Sequence, residues 1–227
     1  MMAAHARLLV LALTLASLHL WQSGASGAAE EPADPAVDAR ERLARLGVPY
    51  TGDAFVASAA RGDARVLGLF LSSGLSPDVK NRDGFTALMW SAGQGHLRLL
   101  ESLLDRRADV NAASRDGTTA LMSAASQGHA EAARRLIAHG AVVDARRADG
   151  WTALTWSAAQ GRVESVRLLL ASGAAIDVAD ARGVTPLIYA AANITEEAPT
   201  GSTLPVVTTL LSHGARLERR LRTGRPP

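Results

Sequence analysis

At 227 residues, 48% apolar and 20% charged, the chain has material for one or two ordinary domains, so length limits neither an enzyme nor an array of repeats. The absence of cysteine excludes disulfides, thiol nucleophiles and thiolate metal sites, while leaving the compartment undecided. A pI of 9.6 accompanies a net charge of only +2: with Lys80 the sole lysine and two tyrosines, little titrates between pH 7 and 9, and a small positive excess persists into alkali.

The N-terminus reads as an export signal. Arg7 precedes an apolar run over residues 8–20, followed by small residues up to Ala29 and an acidic start at Glu30. Thr14, Ser17 and His19 interrupt the run, which falls short of the roughly 20 apolar residues that cross a bilayer. A signal peptide over residues 1–29, removed after Ala28 or Ala29, is therefore expected, with an uncleaved membrane anchor as the competing reading. Residues 30–49 are read as a leader and a short helix. Asp34 and Pro35 supply its start and Gly47 its stop, and Val37, Leu43 and Leu46 are expected to form one stripe that covers the open end of the segment beginning at residue 50.

From residue 50 onward the sequence compares with itself. Asp83-Gly-Phe-Thr-Ala-Leu, Asp116-Gly-Thr-Thr-Ala-Leu and Asp149-Gly-Trp-Thr-Ala-Leu recur every 33 residues, and Arg182-Gly-Val-Thr-Pro-Leu keeps the phase without the aspartate. Such a period marks a stacked array, in which each unit buries its faces only against neighbours. Asp-Gly favours a tight tip, because glycine accepts positive φ without a Cβ clash. Thr86, Thr119, Thr152 and Thr185 are placed to cap a short first helix, and Gly95, Gly128 and Gly161 to end it. A second helix comes next, with apolar columns such as Leu103/Leu136/Leu169 at helical spacing. Alanines at 92, 125, 158 and 191 keep the first helices thin enough for close approach. In the middle unit Ala130, Ala132 and Ala133 leave the second helix poor in apolar volume, which predicts that it opens more readily than its neighbours. The last unit departs: Gly173 to Gly214 is 41 residues rather than 33, placing an eight-residue excess in a surface loop over residues 194–202. Asn193-Ile194-Thr195 beside it matches a glycosylation acceptor and is read as chance.

The stretch Thr86-Ala-Leu-Met-Trp-Ser-Ala-Gly-Gln-Gly-His96, continuing through Leu103-Leu-Asp-Arg-Arg-Ala-Asp-Val-Asn-Ala112, resembles the ankyrin motif, and the resemblance covers residues 50–217. It implies an all-α repeat solenoid: an ankyrin-repeat array of helix-turn-helix units with β-hairpin tips, in five units over 50–82, 83–115, 116–148, 149–181 and 182–217. The chain departs from the motif where alanine replaces proline at Ala87, Ala120 and Ala153, and where Met89, Met122, Thr155 and Ile188 replace the family histidine. The usual threonine-to-histidine hydrogen bond is then missing, and those turns are expected to rely on packing.

Several residues are candidates for function. His96 and His129 fall at the family's Gly-His position and are read as turn supports, since no metal-ligand spacing accompanies them. His139 and His213 precede the terminal glycines of second helices, where a positive charge suits the helix dipole. Arg61-Gly62-Asp63 is read as the first unit's degenerate Gly-His turn. No nucleophile elbow or phosphate-cradling glycine loop appears, and neither catalysis nor a cofactor is expected. Trp90 and Trp156 share a column, about 200° around the helix from Leu88 in the first case, so that each either faces the groove or fills space between units. Phe85 and Trp151 come directly after Asp-Gly and are expected at the concave surface, where aromatic anchors dominate binding. Lys80, Arg82, Arg115, Arg146 and Arg147 place cations on three successive tips, and arginine forks beside aromatics suit carboxylates on a protein partner. Solvated loop charge is the competing reading.

Charge distribution excludes a nucleic-acid partner for the body. Arg216, Arg219, Arg220, Arg222 and Arg225, opposed by Glu218, concentrate about +4 in the last dozen residues, of which 218–227 form a basic tail; the body between residue 28 and these holds 18 basic and 21 acidic residues. The sequence thus points to an exported, periplasmic or secreted monomer that binds an unidentified protein as scaffold or inhibitor. Abundant alanine and arginine suggest a GC-rich bacterial genome. Two other functions stay open: a membrane-tethered spacer, if the first segment persists, and an accessory to an exported enzyme.

Overall fold

A computed structural model describes residues 34–192 and 203–216. The expected signal peptide, the extra loop over 194–202, the glycosylation-like triplet and the basic tail lie outside the described residues. Eleven helices and no strand occur among those described: α1 (Pro35–Arg45), α2 (Gly52–Ala60), α3 (Ala64–Ser72), α4 (Ala87–Gly93), α5 (Leu97–Asp105), α6 (Ala120–Gln127), α7 (Ala130–Ala138), α8 (Ala153–Ala159), α9 (Val163–Ala171), α10 (Pro186–Ala192) and α11 (Thr203–Ser212). From α2 onward they form five pairs.

Each pair is built by the same local chemistry. The hydroxyls of Thr51, Thr86, Thr119 and Thr152 accept from the amides of Ala54, Met89, Met122 and Thr155 at 3.2–3.4 Å, occupying one of the donors that a helix start leaves open. At the other end Gly95 takes φ +70° and turns the chain into α5. A Cβ there would stand 2.6 Å from Nδ1 of His129, so this glycine provides both the left-handed turn and the seat for the next unit's histidine. His96 rests on Gly62 in the same way, its ring 2.9 Å from where a Cβ would be. In the first unit Asp63 holds the histidine's place and caps α3, its Oδ1 accepting from Val66 N at 3.0 Å. His139 and His213 set Nδ1 2.8 Å from the carbonyls of Arg135 and Thr209, near helix ends where carbonyls lack partners. The turn of unit four is not held by packing alone: the Thr155 hydroxyl lies 3.2 Å from that of Thr152, so a second threonine restores the polar bridge that the missing histidine would make.

One continuous apolar core runs the length of the array. Phe55, Leu88, Leu121, Leu154 and Leu187 from the first helices, and Phe70, Leu103, Leu136, Leu169 and Leu210 from the second, are all at most 1% exposed. Ala92, Ala125 and Ala158 are fully buried between successive first helices, which pack closely, whereas successive second helices touch at few points. The row therefore closes toward the first helices, and their exposed sides form the concave face. α1 lies on α3, burying Ala39 and Leu43. The expected stripe is corrected: Val37 and Leu46 are 50% and 45% exposed, because the helix that α1 chiefly meets, α3, is faced by Ala39, four residues before Leu43, instead.

A ladder of side-chain-to-backbone hydrogen bonds ties the units on the side of the second helices. Asp78, Asn111 and Asp144 accept from the amides of Asp109, Val142 and Ala175, each 31 residues on, at 2.7–3.0 Å. Asp177 accepts from Arg216 at 3.0 Å, 39 residues on. The eight-residue excess is thus absorbed between the two partners, and the last rung keeps its geometry.

Two predictions arise from this packing. Arg107 has φ +60° where Gly74, Gly140, Gly173 and Gly214 have +84° to +89°, and a side chain in that region costs about 1–2 kcal/mol. Arg107→Gly is expected to raise stability by about 0.5–1 kcal/mol, the gain reduced by the greater freedom of glycine in the unfolded chain; the urea midpoint of unfolding measures it. Second, α5 buries Leu99, Leu100, Leu103 and Leu104, whereas α7 buries Ala132, Ala133 and Leu136. At about 0.8 kcal/mol per methylene the two alanines forgo roughly 5 kcal/mol of transfer free energy. Amides of 130–137 should exchange with deuterium faster than those of 97–104 and, by a smaller factor, than 163–170, where buried Ser165 leaves its own hydroxyl without a partner among the described residues.

Candidate interaction surface

The tips are four-residue turns. The carbonyls of Asn81, Ser114, Arg147 and Asp180 accept from Gly84, Gly117, Gly150 and Gly183, and the amides of the same four residues donate to the carbonyls of Phe85, Thr118, Trp151 and Val184. Pairing beyond the turn is limited to isolated bridges, Lys80 with Thr86 and Ala113 with Thr119, so the β-hairpins implied by the resemblance are reduced to their turns. Two side-chain solutions close them. Asn81 Oδ1 accepts from the amides of Asp83 and Phe85, and Asp180 Oδ1 from those of Arg182 and Val184; in the middle tips Asp116 and Asp149 accept from Thr118 and Trp151. The aspartate lost at Arg182 is replaced by Asp180, two residues earlier.

Most of the tip cations hold one tip to the next. Lys80 Nζ and Arg146 Nη2 donate to the carbonyls of Ala113 and Ala179, each 33 residues on, at 2.7 Å. Arg82 pairs with Asp53 at 3.0 Å. Arg147, whose side chain is 24% exposed, pairs with Asp116 and Asp149 at 3.4 and 3.1 Å, and its guanidinium lies 5.4 Å from the Trp156 ring centre. Arg115 is exposed and has no ion pair among the described residues. The tips also touch through backbone: a Cβ on Gly84 would stand 2.9 Å from Arg115 N.

The aromatics form two half-buried groups. Phe85 and Trp90 lie with ring centres 5.9 Å apart; Trp151 lies 4.9 Å from Trp156 and 4.6 Å from Tyr189. Between the groups, unit three places Thr118 and Ser123 in the same columns. Beside them an open notch of about 260 Å³ is lined by Phe85, Met89, Trp90, Gln94, Ser123 and Ser126, among others. The nine candidates are thus gathered along one edge and face, with Trp90 and Trp156 half-buried rather than wholly in either of the two positions considered from sequence. Sequence reasoning misses Tyr189 and Arg182, although Tyr189 falls 33 residues after Trp156 and the column could have revealed it. A larger open cleft of about 430 Å³ lies elsewhere, between the ends of α3 and α5, and includes Leu71, Leu75, Pro77, Arg106 and Arg107.

Electrostatics are most concentrated at the last tip. Tyr189 donates its hydroxyl to Asp180 Oδ2 at 2.6 Å, Arg182 Nε stands 3.3 Å from the same oxygen, and Arg182 also donates to the Tyr189 hydroxyl. Burial raises the pKa of Asp180, which is 7% exposed, but the Tyr189 hydroxyl, the amides of Val184 and Arg182, and the Arg182 guanidinium outweigh it and hold the carboxyl below its ordinary value. Burial, and then the bond to Asp180, raise Tyr189 above the usual phenol range. Among the described residues no three potential metal ligands gather, and no helix is long and apolar enough to cross a membrane.

A stacked row of helix pairs with a continuous concave face of this kind is a repeat solenoid, a class that offers an extended surface rather than an enclosed site. The family model described as ankyrin repeats (3 copies) matches residues 55–147 and 142–220, and the chain belongs to the ankyrin-repeat family. No curated protein matches the sequence. Ankyrin repeats mediate protein–protein interaction, and proteins built from them are generally non-enzymatic scaffolds.

The depressed carboxyl at Asp180 gives a pH prediction. A group with a lowered folded-state pKa contributes stability that is present above its unfolded pKa and lost as pH falls through the folded value. The fifth unit should therefore loosen below about pH 4, seen as a change in tryptophan fluorescence, because the Trp151 ring packs against Tyr189 with centres 4.6 Å apart. In Asp180→Asn that acid transition should shrink, with the emission already altered at neutral pH; a remainder belongs to Asp116, where burial is outweighed by the bonds to Ser114 and Thr118 and by the Arg147 charge, beside Trp156.

Proposed function

We propose that the protein is a protein-binding scaffold or inhibitor module that acts through its concave ankyrin surface in an extracytoplasmic compartment, without catalysis and as a monomer. The observation that carries the binding part is the placement of five large rings, Phe85, Trp90, Trp151, Trp156 and Tyr189, half-buried on one face of an array whose other large apolar side chains mostly fill the core. Aromatics held rigidly by neighbours lose little entropy on binding and act as anchors. The opposite face offers less. There Glu131 pairs with Arg134 and Arg135, and Glu101 with Arg135, so those charges neutralise one another in a solvated layer. Arg7, the interrupted apolar run and the small residues before Glu30 support export with removal of the segment, to the periplasm or the exterior.

Affinity capture from native extract tests the reading. The wild-type protein should retain a stoichiometric partner, and a folded triple variant, Phe85→Ala, Arg115→Ala and Trp151→Ala, should bind it at least about 100-fold more weakly, since one anchor is commonly worth 2 kcal/mol or more. Equal capture by both would remove the concave face from consideration. N-terminal sequencing of the isolated protein tests export: a start near Ala29 or Glu30 supports it, and an intact Met1 favours the tethered spacer.

A further inference from the structure

The notch between units two and three has a chemistry of its own. Its walls are Phe85, Met89 and Trp90, and its floor is Gly93, Ser123 and Ser126. It exists because Ser123 stands where the neighbouring units carry Trp90 and Trp156. Both floor hydroxyls are turned into the helix: Ser123 donates to the Thr119 carbonyl at 3.1 Å and Ser126 to the Ser123 carbonyl at 3.0 Å. The floor therefore asks for no polar partner, and an apolar occupant leaves nothing unsatisfied there. At about 260 Å³ the notch is smaller than the roughly 300–1,000 Å³ of small-molecule and cofactor sites, which suits a single side chain. The exposed amides of Gln94 and Gln127 line its rim, one from each unit, and offer donors and acceptors to an extended backbone whose own groups are unpaired.

The charge beside it is unbalanced. On the tips, Lys80, Arg115 and Arg146 face no carboxylate, while Asp83 alone carries a carboxylate without a cation among the described residues; the remaining tip charges are paired. Arg115 packs its Cγ 3.0 Å from where a Cβ on Gly84 would stand, one residue from the Phe85 wall. A cation free of ion pairs thus adjoins an apolar, side-chain-sized notch.

We infer that this notch receives one large apolar side chain, aromatic or leucine-sized, from an extended acidic segment of a partner protein, with a carboxylate of that segment meeting Arg115. The inference rests on the protein-binding reading above and names the chemistry of the partner. Ser123→Trp fills the notch with the residue type found at 90 and 156, and Arg115→Glu reverses the adjacent charge at an exposed position that the fold does not need.

The test uses the full chain and a panel of synthetic 12-residue peptides carrying Phe, Trp, Leu or Ala at the centre, flanked by Asp, Asn or Arg. The expected result is preferential binding of peptides with a large apolar centre and Asp flanks. Ser123→Trp should weaken these at least 10-fold. Arg115→Glu should weaken the Asp-flanked set about 10-fold and improve the Arg-flanked set, and Val142→Ser, on an exposed loop elsewhere, should match the wild type. Circular dichroism and melting temperature establish that the variants fold, and should Ser123→Trp not fold, Arg115→Glu still decides. Peptides that bind indifferently to Ser123→Trp and Arg115→Glu yet are lost in Trp151→Ala would overturn the notch while leaving the concave face in place. Binding indifferent to all three variants would sink both readings, and no binding by any peptide at 1 mM would overturn the notch as an anchor site.

Discussion

Everything in this molecule depends on how closely one 33-residue unit can approach the next. No unit has a core of its own; Leu88 or Leu121 is buried only because a neighbouring first helix lies across it, and that contact is possible because Ala92, Ala125 and Ala158 present a methyl group where a larger side chain would hold the helices apart. The same constraint explains the glycines. Gly95 must turn left-handed, and it must also leave room for the ring of His129, so conformational and packing requirements fall on one residue. Stability in such a row is local and additive rather than global, which is how a thin helix such as α7 and a strained residue such as Arg107 persist without loss of the whole.

The polar groups serve this stacking first. Asp78, Asn111, Asp144 and Asp177 each use a side-chain oxygen to bind a backbone amide of the next unit, and on the other edge Lys80 and Arg146 use their charge on a carbonyl 33 residues away. The cations that read as a binding edge are therefore largely part of the scaffold. Arg147 is the clearest case, set between two aspartates and the face of Trp156. Its role in orienting the indole links the stacking of the tips to the shape of the concave face, so scaffold and surface are not separable there.

The concave face is uneven along its length. Aromatic pairs in units two and four flank Thr118 and Ser123 in unit three, and unit five adds Tyr189 against Trp151. The alternation of large and small residues in one column gives a row of ridges with a recess, which is the shape a chain with spaced apolar side chains would fit. The hydrogen-bonded group of Asp180, Arg182 and Tyr189 closes one end of that row, where burial and hydrogen bonding compete over a single carboxylate.

By itself the sequence determined the fold class and the identity of each structural column, because a period repeated five times averages out the weakness of any single motif: Thr86, Thr119 and Thr152 must do the same thing, and only a helix cap satisfies all three. It also located the eight-residue excess, since a break in phase is visible without coordinates. What only the tertiary structure decided is which way side chains are spent. That Asp180 replaces the aspartate missing at Arg182 is settled within one tip, by amides two and four residues on; whether Arg82 faces Asp53 or solvent, that Ala39 rather than Val37 meets α3, and that Ser123 leaves a recess between aromatic walls depend on contacts between elements far apart in the chain. Those contacts join residues 29 to 39 positions apart, where helical and turn periodicity carries no information about distance or direction, and so they became legible only when the units were stacked.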